Sequence, residues 1–261
     1  MIEHSFLVPA YGNSPYLREC LDSLRLQTRA SPILIATSTP FEGIEALARE
    51  YGAELFVHGP NVSMAHDWNA GLSQVRSRWV TIAHQDDRYA PTYVQSMMQA
   101  INASREPLMA FSDYVELVHG TIRSKTLLLR IKKALLHFGF LGRREIDSTR
   151  SKLNAIRFGN AIPCPAVTFR TACAEPHFAD GFHVNMDWDA WIRKAAQPGS
   201  FVWVREPLMI HRIHSDSGTT EGIEAGHRAR EDFETLCRLW PRPVARAIAS
   251  TYLLAYASNR S

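Results

Sequence analysis

Two adjacent carboxylates stand in the stretch His84-Gln85-Asp86-Asp87, directly after the apolar run Trp79–Ala83. At the end of a buried strand, such a pair can hold Mg2+ or Mn2+ against a diphosphate. Hard cations take oxygen ligands, and phosphate oxygens complete the shell. The plainer alternative is a solvated turn whose Asp caps a helix opening at Ala90-Pro91. A second candidate lies in Asn185-Met186-Asp187-Trp188-Asp189-Ala190-Trp191-Ile192-Arg193. Asn185 suits an N-cap, which puts Asp187 in the first helical turn, where the positive helix end favours an ionised carboxylate. Trp188, Trp191, Ile192 and Ala195 form an apolar stripe that anchors the helix. Asp189 and Arg193, four apart, make an exposed ion pair. Asp187 is left without a local partner, as a general base requires. The third cluster runs His211-Arg212-Ile213-His214-Ser215-Asp216-Ser217-Gly218-Thr219-Thr220. On a strand, Arg212 and His214 point one way and His211 and Ile213 the other. A cation and a metal-ligating imidazole then precede a hydroxyl- and glycine-rich loop suited to closing over phosphates.

The elements that must position these groups alternate from the start of the chain. Ser5–Val8, Ile33–Ala36, Ala53–Val57 and Trp79–Ala83 are short apolar strands. Between them, helices are expected from a Ser14-Pro15 start, over Glu42–Tyr51 and over Ser63–Val75. Continuous apolar strands between helices indicate a parallel sheet covered on both faces, with ligands beyond the strands' C-terminal ends. Further on, the pattern predicts a helix from Ala90-Pro91 to Ala103, a strand over Leu108–Leu117 and two helices within Arg123–Arg157. Strands follow at Pro165–Arg170 and Phe201–Ile213, then helices over Glu221–Leu239 and Pro243–Ala257.

Several ordered motifs resemble glycosyltransferase family 2. Pro9-Ala10-Tyr11-Gly12, then Tyr16-Leu17, Cys20-Leu21, Ser23-Leu24 and Gln27-Thr28, are similar to that family's opening strand and helix. Asn61-x-Ser63 through Asn69-x-Gly71-Leu72 is similar to its next Asn-rich helix. His84-Gln85-Asp86-Asp87 stands at its D-x-D motif, Asp187 at its acceptor-base helix, and Arg212-x-His214 at its late R-x-H. The resemblance covers about residues 5–220. It implies an α/β GT-A fold: a Rossmann-like mixed sheet flanked by helices, over 1–220. A basic helical insertion lies at about 121–157, and 221–261 forms a helical C-terminal appendage packed on the domain.

The implied activity is inverting transfer of a sugar from a nucleotide-diphospho-sugar to an acceptor hydroxyl, in bacterial surface polysaccharide or glycolipid synthesis. Asp187 would be the catalytic base, and Asp86 with His214 the ligands of a Mn2+ or Mg2+ ion. Pro9, Ala10, Tyr11, Thr37, Asn69, Asp86 and Arg212 would bind the donor. His84 replaces the first Asp of D-x-D, and Ala36-Thr37-Ser38 stands where a pyrimidine-contacting Asp is usual. Trp68 stands where an Arg commonly precedes Asn69. These departures open the donor to dTDP, GDP or CMP forms besides UDP, and the H-Q-D-D spelling resembles bacterial rhamnosyltransferases. A non-catalytic nucleotide-sugar-binding subunit is the alternative that the missing Asp suggests. A nucleotidyltransferase would want a Gly-rich basic loop near the N-terminus, and a dinucleotide enzyme a G-x-G-x-x-G after a strand. Neither is present.

Composition agrees with an enzyme. The 261 residues are 46% hydrophobic and 21% charged, too apolar for a disordered chain. No apolar run approaches the ~18 residues of a membrane span. The start MIEHSFLVPAYG lacks a basic region and meets Pro9, so it is not expected to be a signal peptide. Cys20, Cys164, Cys173 and Cys237 are widely spaced, which suits free thiols in a reducing, cytoplasmic compartment. The net charge of +3 is too weak for a nucleic-acid binder, yet it is unevenly spread. Thr121–Arg157 carries ten Lys/Arg against Glu145 and Asp147, a local +8, which leaves 3 − 8 = −5 elsewhere. Within it, Leu127–Phe138 mixes apolar and basic residues as an amphipathic helix does. The expectation is a docking element for the inner face of an anionic membrane or for an acidic acceptor, testable at Lys132 and Lys133. The plainer alternative is a helix that covers the sheet with its Lys/Arg in water.

Overall fold

The computed structural model describes residues 2–172, 177–214 and 227–258. One mixed sheet runs through it in the order β3-β2-β1-β4-β9-β6-β10-β5. Its strands are β1 (His4–Tyr11), β2 (Ile33–Thr39), β3 (Glu54–Val57), β4 (Trp79–Ile82), β5 (Arg88–Tyr89), β6 (Pro107–Val118), β9 (Val167–Arg170) and β10 (Ser200–Ile213). Short β7 (Thr121–Arg123) pairs with β6, and β8 (Glu145–Ile146) with β10. Strands β1 to β4 are parallel to one another; β9 enters antiparallel between β4 and β6, and β10 runs parallel to β6. The expected α/β mixed sheet is therefore present.

Alternation along β1 and β2 explains why these strands are apolar on both sides. Leu7 and Leu34 enter one core, whereas Phe6, Val8, Ile33 and Ile35 enter the other. Helices α1 (Leu17–Arg25), α2 (Ile44–Glu50) and α4 (Tyr93–Ala103) cover the second core. The first is covered by α3 (Met64–Gln74), α5 (Leu127–Phe140), α6 (Thr149–Ile156), α7 (Met186–Ala195), α8 (His227–Leu239) and α9 (Arg242–Ser258). Leu236 and Ala245 are buried in that same core, so the C-terminal helices are part of it rather than laid upon a finished surface. Residues 221–226, the expected beginning of α8, lie outside the described residues. Among the described residues no helix is long and apolar enough to cross a membrane, and Cys20, Cys164 and Cys237 are free thiols. Cys173 lies outside the described residues.

Two helix starts differ from expectation for one reason. Ser14-Pro15 and Ala90-Pro91 both form turns, and the helices open at Leu17 and Tyr93. Leu17 N–H donates to the Ser14 carbonyl at 3.3 Å and Tyr93 N–H to the Ala90 carbonyl at 2.9 Å, so the first regular α bonds come later. The buried N–H of Val94 is capped from afar, donating to Gln27 Oε1 at 3.0 Å, while Gln27 Nε2 donates to the Ala90 carbonyl at 2.9 Å. The end of α1 thereby fixes the chain just past β5.

Helices α5 and α6 touch at Gly139, where a Cβ would fall 2.3 Å from Ala155 Cα. Gly139→Ala is expected to lose about 3 kcal/mol in denaturant unfolding, because backbone rather than a flexible side chain must move.

Candidate active site

Residues 84–87 link β4 to β5, and β5 lies antiparallel on β10 with Met209 opposite Tyr89 and Ile210 opposite Arg88. Continuing that register sets His211, Arg212 and His214 alongside the acidic turn. Asp87 is fully buried and accepts from His211 Nδ1 at 3.0 Å and from the Arg212 backbone N–H at 2.9 Å. Arg212 Nε donates to the Asp86 carbonyl at 2.9 Å, and His214 Nε2 lies 2.9 Å from Asp86 Oδ2. The two adjacent carboxylates thus differ in kind. Asp87 ties two strands together; Asp86 stays partly exposed and meets His214.

Electrostatics sharpens the contrast. Burial alone would raise the Asp86 carboxyl, but the His84 charge, the His214 hydrogen bond and the His211 charge outweigh it and hold it below the ordinary carboxylate value. Burial would lower His211, and the charge and hydrogen bond of Asp87 reverse this, so its imidazolium is favoured. His211 was expected to face away from the site; instead it is half-buried and is the hydrogen-bond partner of Asp87. A strand's alternation predicted its direction without showing that Asp87 waits on that side.

The remaining charge is arranged around Arg212. Its guanidinium stacks on the Tyr16 ring at 4.3 Å and pairs with Glu19, which also binds Arg88 at 3.0 Å. His84 packs against Trp68 with ring centroids 5.0 Å apart, and its Nε2 is buried without a hydrogen-bond partner.

The loops at the C-terminal ends of β1 and β2 are joined to this turn. The Gln85 side-chain amide brackets the Tyr11 backbone, accepting from its N–H at 3.0 Å and donating to its carbonyl at 3.3 Å. Gly12 N–H donates to Thr39 Oγ1 at 2.8 Å. Pro9 pairs with Ala36, Ala10 is buried, and Tyr11 projects into solvent at 63% exposure. Thr37 is buried, its hydroxyl accepting from Thr39 N–H at 3.1 Å. Asn69 donates to the Phe178 carbonyl at 2.7 Å and accepts from the Phe178 N–H at 3.2 Å, so its amide holds a neighbouring segment. Two positions on from Asn69, Gly71 lets α3 lie on β1, where a Cβ would meet Leu7 Cδ1 at 2.8 Å. A carboxylate does reach the end of β2, but from α3: Asp67 Oδ2 accepts from Ser38 Oγ at 2.6 Å, with His58 Nδ1 4.0 Å from its other oxygen. Both ring nitrogens of His58 are buried without hydrogen-bond partners.

Asp187 sits at the start of α7, its Oδ1 accepting from the Trp188 N–H at 2.7 Å. Burial raises its pKa, against the opposing influence of Arg228, the Trp188 N–H, His84 and Lys132. The helix is rigidly held as expected: Trp188 Nε1 donates to the Ile156 carbonyl at 2.9 Å and Trp191 Nε1 to the Ile162 carbonyl at 3.0 Å. Two expectations change. Asn185 occupies the N-cap position but turns its amide to Asp232 Oδ1 at 2.8 Å. Asp189 is buried rather than exposed, binding Arg193 at 2.9 Å and also Arg238. Both changes come from α8, which packs where the sequence suggested solvent. Residues 215–220, expected to close over phosphates, lie outside the described residues.

Glu231 of α8 was not anticipated and is central. Its buried carboxylate accepts from the backbone N–H groups of His183, Val184 and Asn185 at 2.8, 2.9 and 3.0 Å. Burial would raise its pKa; the donors of Asn185, His183 and Val184 outweigh this and hold it below the usual 4.5. A depressed folded pKa contributes stability that is present above 4.5 and lost as pH falls through the folded value. Glu231→Gln is therefore expected to lose about 3 kcal/mol at neutral pH and to flatten the acid limb of stability against pH. Urea melts from neutral pH down to about pH 3 check both effects.

The family model described as Glycosyl transferase family 2 matches residues 5–152, more than half of the chain. An uncharacterized glycosyltransferase of Rickettsia prowazekii is 21% identical over 223 residues, which cover 84% of this chain and 66% of that protein. The chain thus spans about two thirds of that relative's length. Among solved structures, S. aureus TarS in complex with UDP-GlcNAc aligns with a TM-score of 0.66 at 13% identity, over 97% of this chain and 72% of that one. A mannosyltransferase from Pyrobaculum calidifontis in complex with GDP-Man and Mn2+ aligns at 0.63 and 14% identity, over 98% and 75%. The fold is the one these enzymes share.

Proposed function

This chain belongs to glycosyl transferase family 2 and is a glycosyltransferase, and from that premise we propose that it transfers a sugar with inversion from a nucleotide-diphospho-sugar to an acceptor hydroxyl. The observation that carries this reading is the pairing of β5 with β10, which gathers Asp86, Arg212 and His214 at one point below the loops of β1 and β2. In this reading Pro9, Ala10, Tyr11 and Thr37, on those loops, line the donor. Because the Ala10 and Thr37 side chains are buried, they act through backbone and shape. Asn69 acts by holding Phe178. Ser38, His58 and Asp67 form the base-recognising end, where buried polar atoms without partners favour a hydrogen-bonding nucleobase.

The residues around Asp86 fit a divalent cation. Asp86 is held ionised, His214 lies within hydrogen-bond distance of it, and His84 presents a buried, unpartnered ring nitrogen beside them. Such an ion, when bound, offsets the charge that builds on the departing diphosphate. Arg212 adds a fixed cation there, oriented by Glu19 and Tyr16. Asp187 takes the acceptor proton as the acceptor oxygen bonds to the anomeric carbon. The bond from that carbon to the diphosphate oxygen breaks, and the oxygen leaves with the electron pair. One displacement with no enzyme nucleophile inverts the carbon.

The reading places the enzyme in the cytoplasm at the inner membrane face, building a surface polysaccharide or glycolipid. A thermal-shift panel of UDP, dTDP, GDP and CMP with and without Mn2+ tests it. One nucleotide is expected to stabilise the protein only with the metal, by about 2.7 kcal/mol at a hundredfold excess over Kd. No shift with any nucleotide would overturn the donor assignment. A shift without turnover of any donor would favour a silent binding subunit.

A further inference from the structure

Helix α5 presents apolar residues to solvent as well as to the core. At about 100° per residue, Leu127, Ile131, Ala134 and Phe138 fall within roughly 60° of one another, and the C-cap residue Leu141 continues the row. Leu129, Leu136 and Phe140, half a turn away, are the buried ones. Leu127 is 73% exposed, Ile131 44%, Phe138 57% and Leu141 74%. A surface helix with one partner normally carries polar residues on its outer side. This row, about 21 Å long, contains no charge.

The basic residues of the insertion divide into two sets. Lys133 binds Asp113 at 2.7 Å, Lys132 donates to Tyr114 Oη at 2.7 Å, and buried Lys152 donates to the carbonyls of Gln197 and Gly199. Arg157 stacks on Trp240 at 3.7 Å. Lys132 and Lys133 are therefore fastenings of α5 to β6, not free cations, and substituting them would disturb the fold instead of testing docking. Arg123, Lys125, Arg130, Arg143, Arg144 and Arg150 are exposed and have no acidic partner among the described residues.

We propose that the outer row of α5, from Leu127 to Leu141, lies in the interface of an anionic lipid bilayer, with Arg123, Lys125, Arg130, Arg143 and Arg144 reaching the headgroups. Apolar burial and attraction to anionic lipid act together in such helices. A second copy of the chain is the poorer occupant. It would set like charges against each other, and one row of five side chains on a single helix falls short of the ~800 Å2 per partner of stable interfaces. A soluble acidic glycan would use the cations and leave the apolar row wet. The proposal goes beyond the catalytic reading and does not require it.

The test is co-sedimentation of the full chain with phosphatidylcholine vesicles, with and without roughly 30% phosphatidylserine, at low and high salt. Binding to the anionic vesicles alone, weakened by salt, is expected. Leu127→Ser/Ile131→Ser should reduce partitioning at least tenfold, and Arg130→Glu severalfold, with thermal melts unchanged because these side chains are exposed. Failure to bind anionic vesicles at low salt, or equal binding by both variants, overturns the proposal. So does a dimer in analytical ultracentrifugation that Leu127→Ser/Ile131→Ser dissociates. Since no donor is present, none of these outcomes depends on the assigned catalytic roles.

Discussion

Asp187→Asn is expected to reduce turnover by about 10³-fold while leaving donor binding and folding intact. A positioned general base contributes on the order of 10²–10⁴ in rate, and Asn keeps the shape without the basicity. The pH dependence follows from the direction of its shift. Burial, opposed by Arg228, the Trp188 N–H, His84 and Lys132, leaves the carboxyl above its usual 3.8. Only the ionised form accepts a proton, so kcat/KM rises as pH increases through that elevated value. The acid limb of the wild-type profile should accordingly sit higher than for an ordinary carboxylate, and Asp187→Asn should lack it.

Stability should move the other way. A raised folded pKa contributes stability at low pH that is lost as pH rises through the folded value, so at neutral pH the ionised, desolvated group is a cost. Asp187→Asn should melt at or above the wild-type temperature, the sign of a residue kept for activity. Wild-type turnover in Asp187→Asn would end its assignment as base.

Asp86→Ala is expected to lose at least 10²-fold in activity together with metal-dependent nucleotide binding. Its neighbour supplies the control. Asp87 is fully buried between His211 and the Arg212 backbone, and Asp87→Asn leaves His211 facing a weaker partner. Breaking such a buried pair costs about 3 kcal/mol. The result should be a double dissociation: Asp86→Ala folds normally and fails in Mn2+-dependent binding, whereas Asp87→Asn unfolds at lower denaturant. Titration calorimetry with nucleoside diphosphate and Mn2+, alongside urea melts, separates the two. Equal metal-dependent binding by Asp86→Ala and wild type would remove Asp86 from the cation site.

Much of this was visible along the chain because it depends on neighbours in sequence. The strands announce themselves by apolar runs, and Ser63, where the helix was expected to begin, caps α3, its Oγ accepting from the His66 N–H at 3.1 Å. The Trp188 and Trp191 anchors follow from one helical face. What was not legible involves partners far apart. Glu231 binds N–H groups 46 to 48 residues earlier, and nothing in its own surroundings marks it. Gln85 has no role of its own in the expected motif, yet it clamps Tyr11, 74 residues away. Lys152 counts toward the local +8, yet it is buried and donates to two carbonyls.

The same division holds for the site. Residue types and order were enough to single out Asp86, Asp187, Arg212 and His214, since carboxylates, guanidinium and imidazole carry their chemistry wherever the chain takes them. Only the tertiary structure decided which of two adjacent aspartates stays partly exposed. That choice is made by β10 arriving antiparallel to β5 and burying Asp87 against His211. It likewise decided which cations of the +8 segment are available, by bringing Asp113, Tyr114, Trp240 and the carbonyls of Gln197 and Gly199 against four of the ten. Local sequence sets what a side chain can do; burial and long-range pairing, which depend on chain segments meeting in space, set what it is left to do.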